Sequence, residues 1–286
     1  MSAAESDDVR TWIEESPYAR ALGVRAERVD AEGARIALPF SEQNANPGKA
    51  LHGGCAASLA AIGAQAVTRA ALGRESGPWH TAGLQVSYLA AAIGEDVAAE
   101  ARLLRRGKEA CFVEVDVATG DGKSIAHATA MVRARFGAPA PVLARAAGDD
   151  GAADPGRMGP HVAKLPFLVA RGVRIEHMTG ARSRLAMPLA DPNRDAEGGM
   201  HEGAILALLD TTGAMASWAE TGPGPFKAST PALQAQLLVP APAADLVAYG
   251  RVAQRDGDAF WSDVEVADAA SGAVVARGTV LYRIVT

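Results

Sequence analysis

The segment Asn46-Pro-Gly-Lys-Ala-Leu-His52-Gly53-Gly54 opens a long stretch rich in Ala, Leu and Ile. Consecutive glycines at the head of a helix leave backbone N–H groups uncovered and let another group approach closely. The helix dipole adds positive potential at the same point. A carbonyl placed against the Gly53 N–H would be polarised, and the charge developing on its oxygen stabilised. Acyl cleavage there then needs an activated water or a carboxylate nucleophile. A second apolar stretch holds a carboxylate: Asp210 stands in ALLDTTG, where burial is costly without a partner or a purpose. The plainer alternatives are a tight loop-to-helix junction at His-Gly-Gly and a structural hydrogen bond at Asp210.

These two stretches are copies of one another. Sliding the chain by 149 positions brings its halves into register without a gap. SPYARALGVR at 16–25 lies over LPFLVARGVR at 165–174. Pro39, Asn44, His52 and Gly54 meet Pro188, Asn193, His201 and Gly203. Thr81, Leu84, Gln85 and Leu89 meet Thr230, Leu233, Gln234 and Leu238, and Arg102 and Arg106 meet Arg251 and Arg255. Residues 1–136 and 159–286 therefore read as two units. Residues 137–158, rich in Ala, Gly, Pro and Asp, read as the linker between them. Duplicated units of this kind pair as two protomers of a dimer would, about a pseudo-twofold axis.

Each unit has the same element order. A short amphipathic helix (Val9–Glu15; around 162–169) precedes a strand whose apolar positions alternate, Ala34, Ile36, Leu38 and Phe40 in the first copy. An Asn/Gly loop leads into a helix that is apolar nearly all round, over about 53–72 and 202–219, a pattern that predicts burial. Four strands follow, over 80–90, 95–106, 110–118 and 123–135, then 229–239, 245–255, 259–268 and 273–285. TGDGKS and AASGAV have hairpin-turn chemistry. One apolar helix and an antiparallel meander predict an α+β unit, a curved sheet wrapped around its helix.

Composition narrows the function. With 49% hydrophobic and 21% charged residues the chain can bury cores, and a net charge of −5 gives no basic field for nucleic acid. Cys55 and Cys111 are too few for a disulfide scaffold, and the His residues lack ligand spacing, so no metal is expected. The acidic N-terminus and the polar interruptions of the apolar stretches predict a soluble, cytoplasmic protein without a membrane span. Cys55 reads as a packed thiol, and Trp79 and Trp218 as core or pocket wall.

The Asn46…His52-Gly53-Gly54 segment, with the strand TAGLQVSYLAA and the last strand VARGTVLYRI, resembles the hotdog-fold acyl-CoA thioesterases of the PaaI-like kind, in the 4-hydroxybenzoyl-CoA thioesterase superfamily. That resemblance covers both copies and implies two tandem hotdog domains paired as an intrachain pseudo-dimer. It also implies sites between paired units, the loop and helix start coming from one and an acid nine residues after the His from the other. Position nine after His52 is Ala61, whereas position nine after His201 is Asp210; Asn46 and Gly53 become Asp195 and Glu202. One composite site, Asn46, His52 and Gly53 with Asp210, is then complete, and the other is not.

The resemblance implies roles as well. Asp210 would be general base or nucleophile, Asn46 would hold the attacking water, Gly53 N–H would polarise the thioester carbonyl and His52 would steady the loop. Thr230 would bond the carboxylate or the water, or be structural like its copy Thr81; Thr211 is a weaker candidate. The turn Arg105-Arg106-Gly107-Lys108 would grip coenzyme A phosphates, which its copy Gln254–Asp258 would repel. Coenzyme A enters as part of the substrate, no other cofactor is required, and the tandem chains are expected to pair as a homodimer. Competing readings are a non-catalytic acyl-CoA-binding module and a hotdog enoyl-CoA hydratase using His201 and Asp210.

Overall fold

The computed structural model describes residues 3–148 and 151–285. The chain opens with α1 (Ala3–Glu15) and α2 (Pro17–Leu22), the latter started by Ser16, whose hydroxyl accepts the Ala19 N–H, and stopped by Gly23 at φ 86°. A hairpin of β1 (Arg25–Val29) and β2 (Gly33–Leu38) leads through the Asn44–Lys49 loop to α3 (Gly53–Leu72). The meander β3 (Trp79–Tyr88), β4 (Val97–Arg106), β5 (Ala110–Thr119) and β6 (Ser124–Ala134) completes the first half. The second half repeats the order. It runs α4 (Gly159–Val162), α5 (Pro166–Arg171), β7 (Arg174–Thr179), β8 (Arg182–Met187), α6 (Glu202–Thr221), β9 (Lys227–Leu237), β10 (Leu246–Asp256), β11 (Ala259–Asp268) and β12 (Val274–Val285). Pro166 divides the expected helix around 162–169 into α4 and α5, since a proline suits a first turn and not an interior.

The strands form one twelve-stranded sheet in the order β1-β2-β4-β5-β6-β3-β9-β12-β11-β10-β8-β7. The halves join where β3 and β9 run antiparallel, with Gln85 opposite Gln234, Leu84 opposite Ala235 and Val86 opposite Leu233. Gln85 and Gln234 are themselves related by the 149-residue offset, so the seam is symmetric about that pair. The outer strands β1 and β7 went unread in the sequence. Each pairs along β2 or β8 with a bulge, and the mixed exposure of β1 and β7 blurs their alternation.

Helices α3 and α6 lie against the sheet and against each other, and their small residues permit the approach. A Cβ on Gly54 would stand 2.5 Å from the Ala207 Cβ, and one on Gly203 would stand 2.7 Å from the Ser58 hydroxyl. The glycine two residues after each capping His, Gly54 and Gly203, is thus a helix-packing residue. By length and composition α3 could cross a bilayer, yet 83% of its most apolar window is buried inside the fold, where it serves as core.

Candidate active site

His52 caps α3: its Nδ1 accepts the Gly54 N–H at 3.0 Å. The ring stacks on Phe167 of the other half, centroids 4.0 Å apart and 7° from parallel. Burial, and then the Arg171 charge, push its pKa down to about 3, so the imidazole is neutral with its proton on Nε2. That nitrogen faces Thr211 Oγ1 at 3.5 Å, and Thr211 in turn donates to Ala207 O at 2.7 Å. His52 therefore ties the start of α3 to α6, and it has no free nitrogen with which to act as a base.

Asp210 is brought to the same place from α6. It is 4% exposed, and its Oδ1 accepts from Thr230 Oγ1 at 3.1 Å. Its Oδ2 lies 2.8 Å from the point where a Cβ on Gly53 would sit, so only glycine leaves the carboxylate room. Burial raises the Asp210 pKa to about 7, against the lowering effect of the Thr230 bond. The group is thereby poised to take a proton at neutral pH. Among the described residues the Gly53 N–H, first in α3, meets no protein acceptor. Tyr88 closes the other side: its hydroxyl donates to Gly53 O at 3.2 Å, and Asp210's charge adds to the burial that lifts its pKa. Tyr88 escaped sequence reasoning as a site residue, although its copy Leu237 is apolar and that exchange was a signal.

Asn46 lies half-buried on the loop before α3. Its backbone N–H binds Ala50 O at 2.7 Å, while its side chain makes no hydrogen bond to a described residue, Asp210 included. Cys55 is fully buried, its thiol directed at Asn44 O at 3.7 Å and its pKa pushed up to about 12 by burial, so it is a packed thiol.

At the other end of the α3–α6 interface the carboxylate arrives from the opposite side. Glu202, the counterpart of Gly53, reaches towards Ala61. Its Oε1 accepts from Thr81 N at 3.0 Å, and its Oε2 accepts from Thr81 Oγ1 at 2.6 Å and Gln65 Nε2 at 3.0 Å. Burial raises its pKa against those bonds. Asp195, the counterpart of Asn46, accepts Glu197 N and Gly199 N at 2.8 and 3.0 Å and shapes its own turn. His201 caps α6 through Gly203 N at 2.9 Å and stacks on Tyr18; burial takes its pKa to about 3. It is committed to that cap, so the His201–Asp210 dyad a hydratase needs is not assembled.

The basic turn is not gathered at the Asp210 site. Arg105, Arg106 and Lys108 are exposed. Cys111, opposite Arg106, packs on Thr68 near the far end of α3. At 1.5 Å per residue that is about 22 Å along the helix from Gly53. The turn nearer the Asp210 end belongs to the second half, where Arg255 binds Glu220 of α6 at 3.1 Å and stacks on Phe260. The reason is topological: the Arg105–Lys108 turn lies near the C-terminal end of α3, whereas the Asp210 site takes the N-terminus of that helix. A cavity of about 930 Å³ is elsewhere again. It lies over the sheet around Gln85 and Gln234 and touches none of these residues.

Comparisons with known proteins agree with this architecture. A conserved protein with hot dog fold from Alicyclobacillus acidocaldarius superposes with a TM-score of 0.68 at 18% identity, over 94% of this chain and 98% of that one. An acyl-CoA thioesterase II, TesB2, from Mycobacterium marinum gives 0.65 at 14% identity over 95% and 96%. A tesB protein from Mycobacterium avium subs paratuberculosis gives 0.64 at 14% over 98% and 99%. A search of curated protein sequences finds no match. The fold is the α+β hotdog. Residues 41–133, which hold Asn46, His52 and Gly53, match the family described as Acyl-CoA thioesterase N-terminal domain.

Proposed function

We propose that the protein hydrolyses an acyl-CoA thioester to the free acid and coenzyme A, at one composite site per chain built across a tandem pseudo-dimer. The observation that carries this reading is a buried carboxylate of one half, with a pKa of about 7, set against the uncovered first N–H of a helix from the other half. A thioester carbonyl docked on the Gly53 N–H has its carbon beside Asp210. As general base, Asp210 takes a proton from water while the water oxygen bonds to the acyl carbon. The oxyanion rests on Gly53 N–H and the α3 dipole. Its collapse breaks the C–S bond, and the leaving thiolate takes the proton back from Asp210. As nucleophile, Asp210 would instead form a mixed anhydride that water then opens. Asn46, with its amide uncommitted, is suited to hold the water in either route.

Release of free thiol from acetyl-, octanoyl- and benzoyl-CoA tests the reading. Thiol release from at least one of them supports it. Consumption of crotonyl-CoA without thiol release would point to hydration, and binding without turnover to a carrier module. The reading includes a cytoplasmic setting, no cofactor beyond the coenzyme A of the substrate, and pairing of two chains; a single-chain mass in solution would refute the last.

A further inference from the structure

The two ends of the α3–α6 interface correspond residue by residue, so a filled end can be compared with its counterpart. At the Glu202 end, Ala61, Gln65 and Arg69, spaced one helical turn apart on α3, face Asp195, Glu197 and His201 of the other half. There the Arg69 guanidinium lies between Trp12 and Trp79, 4.0 and 4.2 Å from their ring centres. It also donates to Glu197 at 2.7 Å and Gln65 at 3.3 Å, and its side chain is only 11% exposed. Behind it stands the Glu202 carboxylate, and the space that remains is about 50 Å³, room for a few waters.

Each of these blocking residues is exchanged at the Asp210 end. Arg69 becomes Trp218, Glu197 becomes Gly48, Trp79 becomes Ala228, Trp12 becomes His161, Gln65 becomes Ala214 and Glu202 becomes Gly53. A Cβ on Gly48 would meet nothing within 4 Å, and Ala228 is exposed. Trp218, two helical turns beyond Asp210, is half-buried; its indole N–H donates to the Tyr282 hydroxyl at 3.1 Å, and its ring stacks on Phe226 at 6.3 Å. Tyr282 in turn feels the Asp210 charge. An aromatic cluster left half-open beside a buried carboxylate offers flat apolar faces to a ligand.

We propose that the substrate reaches Asp210 through a passage between the Gly48 loop and Trp218, with Trp218 as a contacting wall, and that the equivalent passage at the Glu202 end is shut by Arg69 between Trp12 and Trp79. The proposal rests on the reading of Asp210 as the catalytic group. The probe is S-octyl-coenzyme A, a thioether that cannot be hydrolysed, titrated by calorimetry into the full chain. The wild type binds one equivalent per chain. Ala228→Trp with Trp218→Arg and His161→Trp rebuilds the closure and weakens binding by about tenfold or more, a loss of at least about 1.4 kcal/mol. Trp218→Ala, which removes the wall without adding bulk, also weakens it, and raises KM for octanoyl-CoA more than it lowers kcat. Unchanged affinity in the rebuilt and the Trp218→Ala variants, with wild-type melting temperatures, overturns the passage. Two equivalents per chain overturn the closure. Tight binding that depends on Trp218 but without thiol release from any acyl-CoA would overturn the thioesterase reading and leave the passage standing.

Discussion

Replacing Asp210 by asparagine separates the catalytic use of this carboxylate from its cost to the fold. The amide keeps the shape and can still accept from Thr230 Oγ1, so the architecture survives. Its loss as base or nucleophile should cut hydrolysis by about 10²–10⁴-fold. In the wild type, kcat/KM should rise with pH and level off above about 7, where the group ionises. Two units lower, about 1% of it is ionised, and the rate should be about a hundredth of the plateau. Stability should move the opposite way. The folded-state pKa lies above the ordinary 3.8, so ionisation costs stability as pH rises from about 4 to about 7 and no further beyond that. The shift corresponds to at most about 4 kcal/mol, so Asp210→Asn should melt higher than the wild type at pH 8 and alike near pH 4. Thermal melts and initial rates from pH 4 to 9 read both effects. A variant that keeps full activity, or a wild-type rate flat between pH 5 and 8, would refute the assignment.

Gly53→Ala places a methyl 2.8 Å from the Asp210 carboxylate and should lower kcat by more than it lowers the melting temperature; steady-state kinetics beside a melt decide. Asn46→Ala should slow turnover by roughly 10²-fold if its amide holds water in a near-attack geometry, and wild-type rates would remove it from the site. Glu202→Ala should leave kcat within a small factor of wild type, because the partner across that end is Ala61. It should still cost about 1–3 kcal/mol in urea denaturation through the donors of Thr81 and Gln65 it leaves unpaired. Gly54→Ala should destabilise by about 1–3 kcal/mol through contact with Ala207, without changing the pH midpoint of the rate.

Much of this was legible because the chain states its architecture twice: the 149-residue offset locates matching helices and strands, and Asp210 stands out against Ala61 without knowledge of a fold. Less legible was anything that depends on which ends of the helices meet. The Arg105–Lys108 turn is rich in cations, as a phosphate-binding turn would be, but its place at the far end of α3 is a fact of topology, not of composition. The packing role of Gly54 was not legible, because a string of letters does not show Ala207 across the interface. Glu202 read as part of an incomplete site opposite Ala61, and its bonds to Thr81 and Gln65 were not legible.

The symmetric seam at Gln85 and Gln234 has a consequence for how such a molecule can evolve. In an assembly of identical subunits every substitution appears twice, once at each pole, and the poles cannot specialise. Here a homodimer of the first half would present Ala61 at both poles and no acid at either. A homodimer of the second would set Glu202 against Asp210 at both, one carboxylate crowding another. On the proposed assignment neither half holds a workable pair by itself. One covalent chain frees the poles from sharing one genetic specification, and with poles that differ in this way, separating the halves would not restore a working site.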